Sequence, residues 1–432
     1  VGSEMCIRDR VLIISPHFPP TNAPDMQRVR MILPYLADAG ITAEVLAVNS
    51  AQVAAPEDPW LVEGLPDDIP IHRVNALDLS WRKIPGLGTL SLRAKRALRK
   101  KGDELLKNGE FDLVYFSTTQ WTVHSLGPRW KKRFGVPFAM DYHDPWVTDY
   151  YRENPQVRPP GGPLKYWLSQ RLNVFHEPRV IAQCIGITAV SPAYPKQLVK
   201  RYGKVPPSII LPFPGDRRDL SRVTDTRQNL FDPKDQFTHW VYIGAGGAYM
   251  ESSARGIFEA IQDHPKKEQL RLHFIGTSYA GAGRGEKSIE PLAANYGLES
   301  IVHESPDRIP YSTALKCLLD ADALIVPGSN DPGYTASKIY PYLLAGRPLL
   351  AIFHQESSVT KIMNSVNGGT IVNFDSDTST KQLAEKIRTT AFDENGDIRK
   401  VPLDEKAFIP YDAKSQAQKL GTFFKTCLKE SA

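Results

Sequence analysis

No stretch of about eighteen consecutive uncharged apolar residues occurs in the 432-residue sequence, which argues against a membrane-spanning helix. Cysteine is scarce. Cys6, Cys184, Cys317 and Cys427 stand far apart, with neither a CxxC pair nor metal-ligand spacing. A disulfide framework and a thiolate zinc site are therefore not expected, and a set of reduced cytosolic thiols is the simple reading. The histidines are scattered without an HExxH, so no metal and no other resident cofactor is expected. The loop after the first apolar run carries Pro19, Pro20 and Pro24 where a dinucleotide-binding GxGxxG would need glycines. No solenoid period and no low-complexity segment is visible. Excess charge of one sign is also nearly absent: the net charge is only +5. Eight basic residues and no acidic one lie between Trp81 and Lys101, which leaves the remainder slightly acidic. The broad positive face of a nucleic-acid binder is not there. Residues 81–101 also hold Trp81, Ile84, Leu87, Leu90 and Leu92, a mixture suited to peripheral contact with an anionic membrane surface. A solvated helix face is the alternative.

What is present is a rhythm of short apolar runs and helical patterns. Val11–Ser15 is a continuous apolar strand signal, and Gln27–Ala39 carries apolar residues at helical spacing up to a stop at Gly40. Ala43–Val48, Ile71–Val74, Leu113–Phe116 and Pro137–Met140 read as further strands, with helices over Ser91–Lys107 and Trp121–Phe134. Lys204–Pro214 contains four prolines and reads as a linker. Beyond it, Trp240–Ile243, Leu270–Ile275, Ile301–His303, Ala323–Val326, Leu349–Ile352 and Gly369–Val372 read as strands. Helices fit between them over Ser253–Asp263, Ile289–Tyr296, Tyr311–Leu319 and Lys338–Ala345, and a last one covers Ala413–Leu428. Such alternation predicts an α/β protein of two Rossmann-like, doubly wound parallel-sheet domains facing a cleft. The expected division is a non-native leader over 1–10, domains over 11–205 and 206–412, and a C-terminal helix over 413–432.

Asp331–Leu350 (DPGYTASKIYPYLLAGRPLL) follows a predicted strand and opens a short helix, the position where parallel sheets bind ligands. Free backbone N–H groups at such a helix start, the Ser337 hydroxyl and the mobile charge of Lys338 suit an anion such as a diphosphate. Pro341 is tolerated near the first turn. A capped structural helix with an exposed lysine fits the same pattern.

Ser337–Ala351 (SKIYPYLLAGRPLLA) resembles the donor-site helix of family 4-like glycosyltransferases, which have the GT-B architecture. Other segments resemble that family's motifs in the same order: His17–Pro20 with Gln27–Arg30 (HFPP, QRVR), Phe138–Trp146 (FAMDYHDPW), Gly186–Ala193 (GITAVSPA), Leu211–Asp216 (LPFPGD) and Tyr242–Gly247 (YIGAGG). The resemblance implies transfer of a sugar from a nucleotide-diphosphate sugar to a hydroxyl of a glycan or lipid-linked acceptor, with retention of configuration and without a metal. It implies donor phosphates held by Gly246, Gly247, Ser337 and Lys338, with Gly333, Tyr334, Thr335 and Tyr340 in the donor-site neighbourhood. His17, Asp25, Gln27 and Arg28 fall on the acceptor-side loop. His143 and Asp144, at the end of a strand, become the catalytic pair: His143 contacts the donor sugar, and Asp144 takes the acceptor proton or orients His143. His124 is a weaker candidate.

This sequence also departs from the family pattern. The glycine loop Gly244–Gly247 lacks the usual arginine and lysine, with only Arg255 nearby, and Gly333 and Pro341 stand where the family carries two glutamates. These departures leave two alternatives: a catalytically silent glycan- or nucleotide-binding module, and a GT-B-shaped sugar-nucleotide epimerase. The expected location is cytoplasmic, peripheral on the inner face of the membrane if residues 81–101 bind it.

Overall fold

The computed structural model of the chain describes residues 8–84, 87–153, 162–247, 250–278, 284–331 and 338–431. The chain divides into two units, residues 1–214 with 413–432 and residues 215–412. In the first unit the short apolar runs become β1 (Asp9–Ile14), β2 (Ile41–Val48), β3 (Ile71–Val74), β4 (Leu113–Ser117), β5 (Phe138–Tyr142), β6 (Gly186–Ala189) and β7 (Ser208–Ile210). They form a parallel sheet in the order β3-β2-β1-β4-β5-β6-β7. The order reverses between β1 and β4, which pair from Val11↔Leu113 to Ile14↔Phe116. Loops leaving the carboxyl ends of those two strands therefore open a ligand crevice.

Both faces of this sheet are covered, as the unbroken apolar runs require. One core gathers Leu98, Phe116, Trp130 and Phe138; the other gathers Val29, Ile32, Leu33, Leu420 and Phe424. The last two residues belong to the helix Ala413–Ser431, so the C-terminal helix is a layer of the first unit and not a separate piece. The boundary expected after residue 205 also moves. Ser208–Ile210 pairs with Ile187–Ala189, so part of the Pro-rich linker is an edge strand and the division falls after Pro214. Asp9 and Arg10, assigned to the leader, are already in β1. The helix predicted over 27–39 ends at Ile32 and passes into a tight turn at Leu33–Tyr35, because Pro34 has no N–H for an α-helical bond.

In the second unit, β8 (Thr238–Ile243), β9 (Leu270–Ile275), β10 (Val302–Ser305), β11 (Ala323–Pro327), β12 (Leu349–His354) and β13 (Thr370–Phe374) form a parallel sheet ordered β10-β9-β8-β11-β12-β13. Its reversal lies between β8 and β11. The loops at that point are Gly244–Gly247, after β8, and the segment starting at Gly328, after β11. Both units are thus doubly wound, as the alternation predicts.

Candidate active site

At the switch point of the first unit, two buried carboxylates organise the polar residues. Asp25 lies in the loop after β1, where His17 Nδ1 meets its Oδ1 at 2.8 Å. Its other oxygen accepts from the Thr118 hydroxyl at 3.0 Å and from the Thr119 amide and hydroxyl, each at 3.1 Å. Burial alone would raise the Asp25 carboxyl, but the charge and hydrogen bond of His17, with His143 and the Thr119 amide, hold it well below the usual carboxylate range. Burial would lower His17 in turn, and the Asp25 charge and hydrogen bond outweigh it, so His17 is raised.

Asp141 stands on β5 and is wholly buried. Its Oδ2 lies 2.6 Å from Arg28 Nε and 2.5 Å from His143 Nε2, and accepts from Ser117 Oγ at 2.9 Å. Its Oδ1 accepts from Thr188 Oγ1 at 2.7 Å. Burial is opposed by Arg28 and His143, and the net effect holds Asp141 well below its ordinary value. Because Asp141 is an acceptor, His143 Nε2 carries a proton. With Nε2 directed at Asp141, the other ring nitrogen, Nδ1, is buried without a hydrogen-bond partner among the described residues.

In the second unit, Lys338 sits at the N-cap of the helix Ile339–Leu344. Its ammonium donates to the Tyr242 hydroxyl at 2.6 Å, and Tyr242 OH donates to Ala245 O at 2.6 Å. A side chain at Gly244 would collide with Lys338 Nζ, so glycine is what lets the lysine seat against the loop. Burial pushes the Lys338 amine down to about 7. The helix is fixed to β8 through Tyr342, whose hydroxyl accepts from Ile243 N at 2.6 Å and donates to Ile243 O at 3.0 Å. The helix Glu251–Ile261, which follows the β8 loop, is joined to the β11 loop by Ser253 Oγ, which donates to Gly328 O at 2.6 Å.

Several expected site residues take other places. Arg28 was expected on an acceptor-side loop, but it is fully buried. It donates to Leu211 O at 2.5 Å and Pro212 O at 3.0 Å and lies over the Phe213 ring, because the buried Asp141 needs a counter-charge. Gln27 accepts from Arg30 Nε at 2.7 Å. His143 is oriented by Asp141 and not by Asp144, which is exposed. The protein around Asp144 raises its carboxyl, with His143 opposing and Asp25 adding to the rise.

The Gly246 N–H donates to Thr277 O at 2.8 Å and is not free for a phosphate, whereas Gly247, at φ 107°, supplies the turn. Tyr340 is buried against Phe408 and Tyr411. Arg255 is held by Glu251 at 2.6 Å. His124 is buried among Phe116, Trp121 and Trp146, and burial lowers it to about 3, which makes it a packed residue. Ser337, Gly333, Tyr334 and Thr335 lie outside the described residues. Asp141 was missed by the sequence reading. The available signal was a lone acid in the apolar strand FAMDY, two residues from His143 and so on the same strand face.

Among the described residues, no group of three His, Cys, Asp or Glu side chains could hold a metal ion. No described helix is long and apolar enough to cross a membrane.

Residues 27–214 match the family model described as the glycosyl transferase 4-like domain. No curated protein sequence matches the chain. Among solved structures, HepE of Anabaena, in complex with UDP and glucose, is 13% identical with a TM-score of 0.62 and covers 97% of this chain and 100% of its own. Sucrose-phosphate synthase from Thermosynechococcus elongatus is 14% identical with a TM-score of 0.63, covering 98% of this chain and 100% of its own. A glycosyltransferase from Rickettsia africae is 12% identical with a TM-score of 0.55, covering 98% and 99%. At these identities the likeness is one of fold. The domain match covers residues 27–214, less than half of the chain, and the solved structures share with the whole chain a GT-B fold of two Rossmann-like units.

Proposed function

We propose that this chain transfers a sugar from a nucleotide-diphosphate sugar to a hydroxyl acceptor in glycan or glycolipid synthesis, with retention and without a metal. The observation that carries the reading is Lys338, drawn in against Tyr242 and a glycine loop at the switch point of a parallel sheet. An amine held there is desolvated until an anion arrives, and a departing diphosphate supplies that anion. In the first unit, the unpartnered His143 Nδ1 supports a hydrogen bond from a sugar hydroxyl in this scheme, and the exposed, raised Asp144 is the group that receives the acceptor proton. HepE, solved with UDP and glucose, supports a UDP-sugar as the first donor to test.

A screen of nucleotide sugars for binding and for release of free nucleotide diphosphate tests the proposal. Release that Lys338→Ala abolishes supports it, and donor affinity unchanged in Lys338→Ala overturns the phosphate assignment. The silent-module alternative is favoured by Pro341, a helical residue in place of a carboxylate, and predicts binding without release across all acceptors. No separate observation favours the epimerase.

A further inference from the structure

The helix Pro163–Ile181 of the first unit has its polarity inverted. Its inward side carries hydrogen-bonded polar side chains. Gln170 donates to Thr148 O at 2.9 Å, Asn173 accepts from Trp146 Nε1 at 3.1 Å, and Glu177 accepts from Tyr142 at 3.1 Å and Tyr202 at 2.5 Å. At 100° per residue the opposite side presents Leu168, Leu172 and Phe175, with Trp167 and Val174 at its margin, each of the five about half exposed. A soluble helix normally does the reverse, and an apolar strip of this size marks a contact surface.

The outward-facing charges of the helix itself are basic. Arg171 lies 4.5 Å from the Trp167 ring and Arg179 3.6 Å from the Phe175 ring. The sequence of this helix contains one acid, Glu177, and that residue is turned inward. Lys95, from the basic helix Leu90–Asn108, is close enough to add to burial in lowering His176. Lys131, from the basic helix Leu126–Phe134, donates to Gln183 O just past the end of the strip.

We propose that this outward face docks on an anionic phospholipid bilayer, with Trp167, Leu168, Leu172 and Phe175 entering the headgroup boundary and Arg171 and Arg179 meeting lipid phosphates. Apolar residues rimmed by arginines, with Trp among them, match that interface in both chemistry and sign. A two-fold contact with a second copy would set these arginines against their own counterparts, which disfavours that occupant. The proposal deepens the membrane contact expected of residues 81–101, whose Trp81 and Ile84 are also exposed, and it stands without the donor reading.

The test is co-sedimentation of the full chain with vesicles of phosphatidylcholine alone and of phosphatidylcholine mixed equally with phosphatidylglycerol, at low and raised salt. The wild type should bind the anionic vesicles, release with salt and shift its tryptophan emission to the blue. Leu172→Glu/Phe175→Glu should lower the partition coefficient by about tenfold or more. Arg171→Gln/Arg179→Gln should weaken binding and flatten its salt dependence. All four positions are exposed, so matched thermal unfolding midpoints confirm that the variants fold. Wild type left in the supernatant with anionic vesicles overturns the proposal. So does a Leu172→Glu/Phe175→Glu variant that sediments like wild type, or a wild-type dimer that this variant dissociates. Sedimentation requires no donor, so failure here leaves the transfer reading untouched.

Discussion

Asp25, in the loop after β1, and Asp141, on β5, are buried carboxylates, and each is held ionised by a partner. Their energetics can be tested separately. Arg28 is the wholly buried counter-charge of Asp141, so Arg28→Met should destabilise the chain by about 3–5 kcal/mol in urea unfolding, the usual cost of leaving a buried charge unpaired. A loss within the range of an ordinary surface change would mean that the pair is not formed. The His17–Asp25 pair sets a pH window. Asp25 is lowered, so its contribution is present above about pH 4 and is lost as the pH falls. His17 is raised, so its contribution is present below about pH 6.5 and is lost as the pH rises through the raised value. Asp25→Asn should therefore lower the urea midpoint most between these limits and leave both edges of the profile flatter.

Lys338 behaves in the opposite sense. Its folded value, about 7, lies below the unfolded one, so the unfolded chain binds more protons across that gap and this contribution to stability rises with pH. For binding, nucleotide-diphosphate affinity should fall as the pH rises from about 7 to about 9, as the free lysine loses its charge. Calorimetric titration of UDP should show that slope in wild type and a weaker, flat profile in Lys338→Met.

At the scale of elements, what was legible in the sequence followed from periodicity, and what was missed depended on distant partners. β1, β11 and β12 carry continuous apolar runs because both faces of their sheets are covered, and such runs are visible without a structure. The helix Pro163–Ile181 was not predicted, because an inverted helix hides the contrast between inner and outer faces on which the reading depends. The end of Gln27–Ile32 at Pro34 was readable in principle, whereas the burial of Arg28 was not, since its acid partner comes from β5. The last helix was predicted, but its role as a layer was not. Gly421 allows its close approach: a side chain there would collide with the Ala39 carbonyl oxygen. Gly421→Val should push the helix off Phe424's pocket and cost about 1–3 kcal/mol or more, seen as a lower unfolding midpoint. An unchanged midpoint would show that the helix is loosely held.

At the scale of the whole molecule, the chain leaves the first unit at Pro214 and returns to it at Ala413. The ends of the second unit adjoin: Gly215 N donates to Tyr411 O at 2.9 Å, and Gly215 bridges Asp412. A unit whose ends meet and whose sheet is complete is built like an inserted domain. The first unit lacks that independence, because Ala417, Leu420, Phe423 and Phe424 of its second core come from beyond the insertion. Residues 215–412 expressed alone should therefore fold with a single cooperative transition, whereas residues 8–214 without the last helix should not. The glycine loop and Lys338 both lie in the second unit, so the 215–412 fragment should bind UDP with an affinity close to that of the full chain, and Lys338→Ala should remove that binding in either context. A folded fragment that fails to bind UDP, beside a full chain that binds it, would mean that the first unit supplies part of the diphosphate grip. The assignment of Lys338 as its main cation would then have to be given up.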